Sequence, residues 1–161
     1  MSILIFLGLT LLLICVDLGI KGCVENNIKR GEEHKFVGGK ILVRKVYNKG
    51  MALNLKQDDP ELVKKITAVA AIVVTIQLLT TLFRKGRGLR KLGLTFVVAG
   101  AWGNLVDRYL RGYVVDYLGF KCKWKKCSEI TFNFADFFIF FGSFLLILAG
   151  LFCGCKKGKK A

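Results

Sequence analysis

Four long apolar runs constrain this chain more than any other feature. Residues 3–20 are interrupted only by Asp17, and residues 66–83 carry no charge. Residues 92–106 are apolar apart from Asn104, and residues 131–152 are broken only by Asn133 and Asp136. A helix rises about 1.5 Å per residue and needs roughly 17 to 25 residues to cross a bilayer. Three runs have that length, and the third has it if the helix continues through Asp107 to Leu110. In lipid the backbone must be paired within the segment or in a closed barrel, and four runs are too few for a barrel. The expected fold is therefore an all-α integral membrane protein with four transmembrane helices, at approximately 3–20, 66–83, 92–110 and 131–152. These make one membrane-embedded domain over residues 1–161, with outer loops at 21–65 and 111–130. The first run has no basic stretch before it and no A-x-A-like cleavage site, so it is read as a retained helix and not a cleaved signal peptide.

The rest of the chain is strongly basic, with 26 Lys and Arg against 11 Asp and Glu. A nucleic-acid-binding tail can carry a charge of +15, but not together with 53% apolar residues. The basic residues are expected at membrane surfaces, facing anionic phospholipid and not nucleic acid. Two clusters, Arg84 to Lys91 and Lys156 to Lys160, place both termini in the cytoplasm by the positive-inside rule. Against this, the outer loops with Arg108 hold 17 of the 26 basic residues, so charge alone leaves the orientation open.

The long first loop has local order of its own. Gly38-Gly39 is a turn signal, and residues 40–55 are rich in Ile, Val, Leu and Tyr, so a small β-rich element is expected there. Asp59 is placed to cap the second helix, with Pro60 at its first position.

Ionisable and amide side chains inside apolar helices are costly, so each is a functional candidate. Asp17 and Lys21 lie four residues apart at the end of the first run, on one helix face, and read as a structural ion pair. Asn104 with Asp107, and Asn133 with Asp136, repeat one spacing on consecutive helices whose polar ends meet at one membrane face. Gly112 ends the third helix, and Asp116 follows among Val and Tyr neighbours. Three carboxylates, Asp107, Asp116 and Asp136, are thus gathered at one boundary, with Arg108 or Arg111 available to neutralise one of them. Two carboxylates sharing a site hold one proton between them, which suits a pair acting as general acid and base.

These residues resemble the signature of the lipoprotein signal peptidase family, signal peptidase II. Gly103-Asn104-Leu105-Val106-Asp107-Arg108 is similar to its G-N-x-x-D-R. Gly112-Tyr113-Val114-Val115-Asp116-Tyr117 is similar to G-x-V-V-D-F/Y, and Phe132-Asn133-Phe134-Ala135-Asp136 to F-N-x-A-D. Asp17 with Lys21 resembles the family's D-x-x-x-K, and Asn48-Lys49-Gly50-Met51-Ala52 its N-x-G-A-A. The resemblance implies an aspartic endopeptidase of the bacterial cytoplasmic membrane, cutting a prolipoprotein on the N-terminal side of its diacylglyceryl-modified cysteine. It implies Asp116 and Asp136 as the catalytic pair. Asn48, Gly50, Asn104, Asp107, Arg108 and Asn133 become supporting or substrate-positioning residues. It further implies an active site toward the outer face, no metal and no cofactor. The chain departs from the pattern at Met51, at Leu53 and at Phe137, whose bulk beside Asp136 is expected to narrow the lipid pocket.

Two other functions use the same residues: a small proton or cation transporter, and a non-catalytic paralogue that binds lipoprotein or lipid. The single histidine, His34, lies in a charged loop and supports neither a metal site nor serine-histidine chemistry. Cys23, Cys122 and Cys127 are open to one disulfide or to none. Nothing in the sequence demands a partner subunit, and a monomer is expected.

Overall fold

The computed structural model describes residues 3–50, 59–121 and 128–155, with the side chains of 153–155 excepted. Met51, Leu53, Cys122, Cys127, the lysines between the last two, and the lysine-rich C-terminus lie outside the described residues.

Among the described residues, four helices and four short strands follow in the order α1 (Ile3–Asn27), β1 (Glu33–Phe36), β2 (Ile41–Asn48), α2 (Pro60–Leu82), α3 (Gly88–Leu110), β3 (Val114–Phe120), β4 (Thr131–Phe132) and α4 (Phe134–Cys155). Three helices, α1, α2 and α4, are long and apolar enough to cross a membrane. The third, α3, has 23 residues but carries Arg90, Lys91, Asn104, Asp107 and Arg108. The reason is positional. α3 packs against α1, α2 and α4, whereas α1 and α4 touch each other little. A helix surrounded by protein is under less pressure to be apolar and more to be small and polar where its neighbours meet it.

Gly100 and Gly103 show this closeness. A β-carbon on Gly100 would run into the backbone carbonyl of Ala135, and one on Gly103 into the Asp17 carboxylate. The run Ala99 to Gly103 is thus a helix-packing surface. On helix propensity alone, Gly100→Ala should stabilise α3 by about 1 kcal/mol. Because a backbone carbonyl cannot swing aside, the substitution is expected instead to destabilise by about 1–3 kcal/mol. The check is thermal unfolding of the detergent-solubilised protein, and a raised melting temperature would contradict the close approach.

The start of α2 follows the sequence reading: the Asp59 side chain accepts from the Leu62 N–H at 2.9 Å, with Pro60 at the first helical position. α3 ends at Leu110, and Gly112 takes a positive φ of 77° beyond it. α1 continues past Ile20 to Asn27 because its last turns lie beneath a sheet. Val24, Ile20 and Ile28 pack there with Val115, Tyr117 and Tyr113. Glu25 Oε1 accepts from the Tyr47 hydroxyl at 2.7 Å and the Tyr113 hydroxyl at 3.4 Å. Hydrogen bonding to Glu25 pushes the Tyr47 hydroxyl up to about 12.

The sheet is antiparallel, in the order β1-β2-β3-β4. The β1–β2 hairpin turns at Gly38-Gly39, as the sequence suggests. The sheet is not confined to the first loop, however, because β3 and β4 come from the segment between α3 and α4. That segment reads poorly as strand in isolation, since β4 is two residues long and β3 finds most of its ladder on β2, which lies far away in the sequence.

Candidate active site

The site is assembled by three local devices. The first is a bulge in β2. Val43 pairs with Leu118, but Val46 pairs with Asp116, so one extra residue is taken up between them. Side chains alternate faces along a strand, and one extra residue reverses which face every later side chain points to. Beyond the bulge, Val46 and Asn48 lie on the face of Asp116 and Val114, while Tyr47 lies with Val115 against α1. Asn48 Nδ2 then donates to Asp116 Oδ2 at 3.0 Å.

The second device is the start of α4. Asn133 Oδ1 accepts from the Asp136 N–H at 3.1 Å, and Asp136 Oδ2 accepts from the Asn133 N–H at 3.1 Å. This is a reciprocal capping box, with Asp in the place more often held by Glu. The other end of the Asn133 amide, Nδ2, donates to Asp116 Oδ1 at 2.6 Å. One buried asparagine thus caps the helix that carries Asp136 and ties it to the strand that carries Asp116. The Tyr117 hydroxyl accepts from the Phe134 N–H at 3.2 Å and adds a second tie between the same two elements. Burial raises that hydroxyl's pKa.

The third device is a buried polar cluster behind the site. Lys21 Nζ lies 2.7 Å from Asp17 Oδ2 and 3.5 Å from Asp107 Oδ2, and donates to Asn104 Oδ1 at 2.9 Å. With its oxygen held by Lys21, Asn104 presents Nδ2 to Asp136 Oδ1 at 3.0 Å. Asp17 Oδ1 accepts from the Ala135 N–H at 2.9 Å, which joins α1 to the first turn of α4.

Asp116 and Asp136 line one cavity of about 610 Å³ together with Asn48, Asn104, Arg108 and Asn133. Its remaining wall is largely apolar and includes Ile66 and Ala70 of α2 and Ile139 and Phe140 of α4. Ile66 and Phe140 are themselves exposed, so the cavity opens onto the apolar outer surface of the helices. Every oxygen of the two carboxylates accepts from an amide, and none is ion-paired among the described residues. Burial, and next the neighbouring Asp136 charge, push Asp116 up to about 7. Such a carboxyl holds a proton close to neutrality and can deliver it.

Asp107 is placed differently from the other two aspartates. It is absent from the cavity lining, accepts from Arg111 at 2.7 Å and from the Val115 N–H at 3.1 Å, and is buried. The choice between Arg108 and Arg111 as its neutralising partner therefore falls on Arg111. Arg108 instead donates to the carbonyls of Gly50 at 2.8 Å and Asn104 at 3.3 Å. The Gly50 N–H donates to Asn48 Oδ1 at 3.0 Å. Gly50 thus links the asparagine and the arginine that flank the pair.

Phe137 does not narrow the cavity, contrary to the sequence expectation. It turns toward Phe120, Phe132 and Phe134, with ring centroids 5.9 to 6.3 Å away, and the aromatic wall is formed by Phe132 and Phe140. Cys23 is a free, exposed thiol.

Residues 9–152 match the family model described as Signal peptidase (SPase) II. The lipoprotein signal peptidase of Fusobacterium nucleatum subsp. nucleatum is 34% identical over 156 residues, covering 97% of this chain and 92% of that protein. That of Clostridioides difficile is 32% identical over 153 residues, covering 95% and 99%. A solved bacterial membrane enzyme, determined by the in meso method, has the same fold. It superposes with a TM-score of 0.83 at 21% identity over 99% of this chain and 94% of that one. With the family model spanning most of its length and relatives of this similarity covering nearly all of it, the chain belongs to the signal peptidase II family.

Proposed function

We propose that this protein is an aspartic endopeptidase of the bacterial inner membrane that removes the signal peptide of prolipoproteins, cutting before the diacylglyceryl-modified cysteine. The observation that carries this reading is the Asp116–Asn133–Asp136 arrangement on one lipid-facing cavity. Asp116 holds a proton and Asp136 takes one from water. Water oxygen bonds to the scissile carbonyl carbon as Asp116 protonates the carbonyl oxygen. The C–N bond then breaks as Asp136 passes its proton to the amine of the cysteine, one hydroxyl proton of the intermediate returns to Asp116, and the signal peptide leaves as a carboxylic acid. Asn48, Asn104 and Asn133 position the two carboxylates, and Gly50 with Arg108 hold the edge of the site. Asp107 supports from behind through Arg111 and the β3 backbone, and Asp17 with Lys21 hold the first helix. The exposed apolar wall of α2 and α4 suits the acyl chains of the modified cysteine.

In this reading α3 crosses the bilayer as a fourth span, shielded by its neighbours, and residues 1–161 form one domain. Both termini are cytoplasmic, and the sheet and the aspartates face outward, where exported prolipoprotein arrives. The protein acts as a monomer in phospholipid. Family membership does not favour ion transport or a non-catalytic role.

The test is cleavage of one prolipoprotein by the purified full chain, with and without its diacylglyceryl group. Cleavage of the lipidated form, with a new N-terminus at the modified cysteine by mass spectrometry, is the expected result. No cleavage of either form overturns the proposal, and equal cleavage of both overturns the lipid requirement.

A further inference from the structure

We propose that the end of the helix bundle remote from the aspartates holds one anionic glycerophospholipid, with its phosphate on Arg87 and Arg90. A second cavity, of about 520 Å³, lies there between the last part of α2, the first turn of α3 and the last turns of α4. Gly88, at the start of α3, is separated from Asn104 at the aspartate site by roughly 24 Å of helix, so the two cavities are distinct.

Charge argues for an anion from outside the chain. Five basic residues fall within positions 84–91, yet no acidic residue occurs between Glu61 and Asp107 or after Asp136. Lys91 is occupied, donating to the Leu82 carbonyl at the end of α2 at 3.1 Å. Arg87 and Arg90 line the cavity and have no ion-pair partner among the described residues. Arg87, the N-cap residue of α3, makes no side-chain cap bond to the first N–H groups of that helix.

The apolar part of the cavity argues for a lipid and not a free anion. Gln77 is a polar, exposed side chain in the charge-free stretch of α2, and it lines the same cavity. It lies five residues before Leu82, roughly 7.5 Å deeper along the helix. That depth suits the ester carbonyls below a phosphate seated on the arginines. Leu146 and Phe152 provide the walls for an acyl chain. Gly150 lines the cavity beside them next to open space, since a β-carbon there would meet nothing within 4 Å. Basic pockets between helices at a membrane surface are a recurrent way of holding anionic headgroups.

The experiment is native mass spectrometry of the purified full chain with equal amounts of dioleoyl phosphatidylglycerol and dioleoyl phosphatidylcholine. The expected result is a one-to-one complex with phosphatidylglycerol in excess over phosphatidylcholine. Arg87→Gln with Arg90→Gln should weaken it about thirtyfold, which corresponds to about 2 kcal/mol for two arginines. Gly150→Leu should also weaken it by filling the groove, whereas Arg84→Gln with Lys85→Gln should leave it unchanged. Equal retention of both lipids overturns the proposal, as does a double arginine variant that binds within about threefold of the parent. So does equal loss in the Arg84/Lys85 variant, or full displacement of the lipid by millimolar inorganic phosphate. None of these readouts uses peptide cleavage, so failure here is separable from failure of the protease reading.

Discussion

Asp116→Asn and Asp136→Asn are each expected to lower kcat for prolipoprotein cleavage by about 10²- to 10⁴-fold, the range typical of removing a general acid or base. Both substitutions keep the shape of the side chain, so substrate binding and KM should change little. The pH dependence separates the two roles. With Asp116 pushed up to about 7, its proton is present below that pH and lost above it. The parent's rate should therefore fall by about tenfold per pH unit on the alkaline side of 7. The same shift sets the sign for stability. A carboxyl with a folded pKa above its unfolded value contributes stability that is fully present below about pH 4 and is lost as pH rises through about 7. Asp116→Asn is neutral throughout, so its melting temperature should gain on the parent's between pH 5 and pH 8. Steady-state cleavage and thermal melts across that range measure both effects. A variant retaining activity within tenfold of the parent, or a parent rate that is flat to pH 9, would remove Asp116 from the acid role.

How much of this site was legible beforehand depends on whether one element or two make each contact. The spacing of Asn133 and Asp136 announced a polar pair, and it was legible because both members lie in one helical turn. That the pair is a capping box is not legible from the sequence: Asp at the third position is less common than Glu, and the apolar run starts earlier, at Thr131. The end of α3 and the cap at Asp59 were also readable, because Gly112 and Pro60 act through their own backbone. By contrast, nothing in Val43 to Val46 signals the bulge, which arises only when β2 meets β3 and sets the face that Asn48 occupies. The role of Tyr117 was hidden for a related reason, since its hydroxyl reaches α4 across a fold contact. The moderate apolarity of α3 is the clearest case. Read as a lone segment it is a weak span; its small residues at 99–103 already signal close helix packing, but only its position among three other helices shows which neighbours meet Gly93, Gly100 and Gly103.

Lys21→Met is expected to destabilise the fold by about 3–5 kcal/mol, the cost of breaking a buried ion pair from one side. Lys21 is fully buried and is the cation between two buried carboxylates, Asp17 and Asp107. Asp107 keeps Arg111, but Asp17 would be left with only the Ala135 N–H as a partner. The methionine matches the lysine stem in volume, so the loss reports charge more than packing. Its consequence reaches the site, because Lys21 also fixes which end of the Asn104 amide faces Asp136. A rotated Asn104 would present its oxygen to a carboxylate, so kcat should fall as well, by less than in the aspartate variants. Adding Asp17→Asn removes the stranded charge while keeping an oxygen for the Ala135 N–H, and should restore more than half of the lost stability. Chemical or thermal unfolding of the three proteins in the same detergent decides the matter. If Lys21→Met melts with the parent, or if the second substitution makes the protein weaker still, the buried cluster does not hold α1 against α3 and α4.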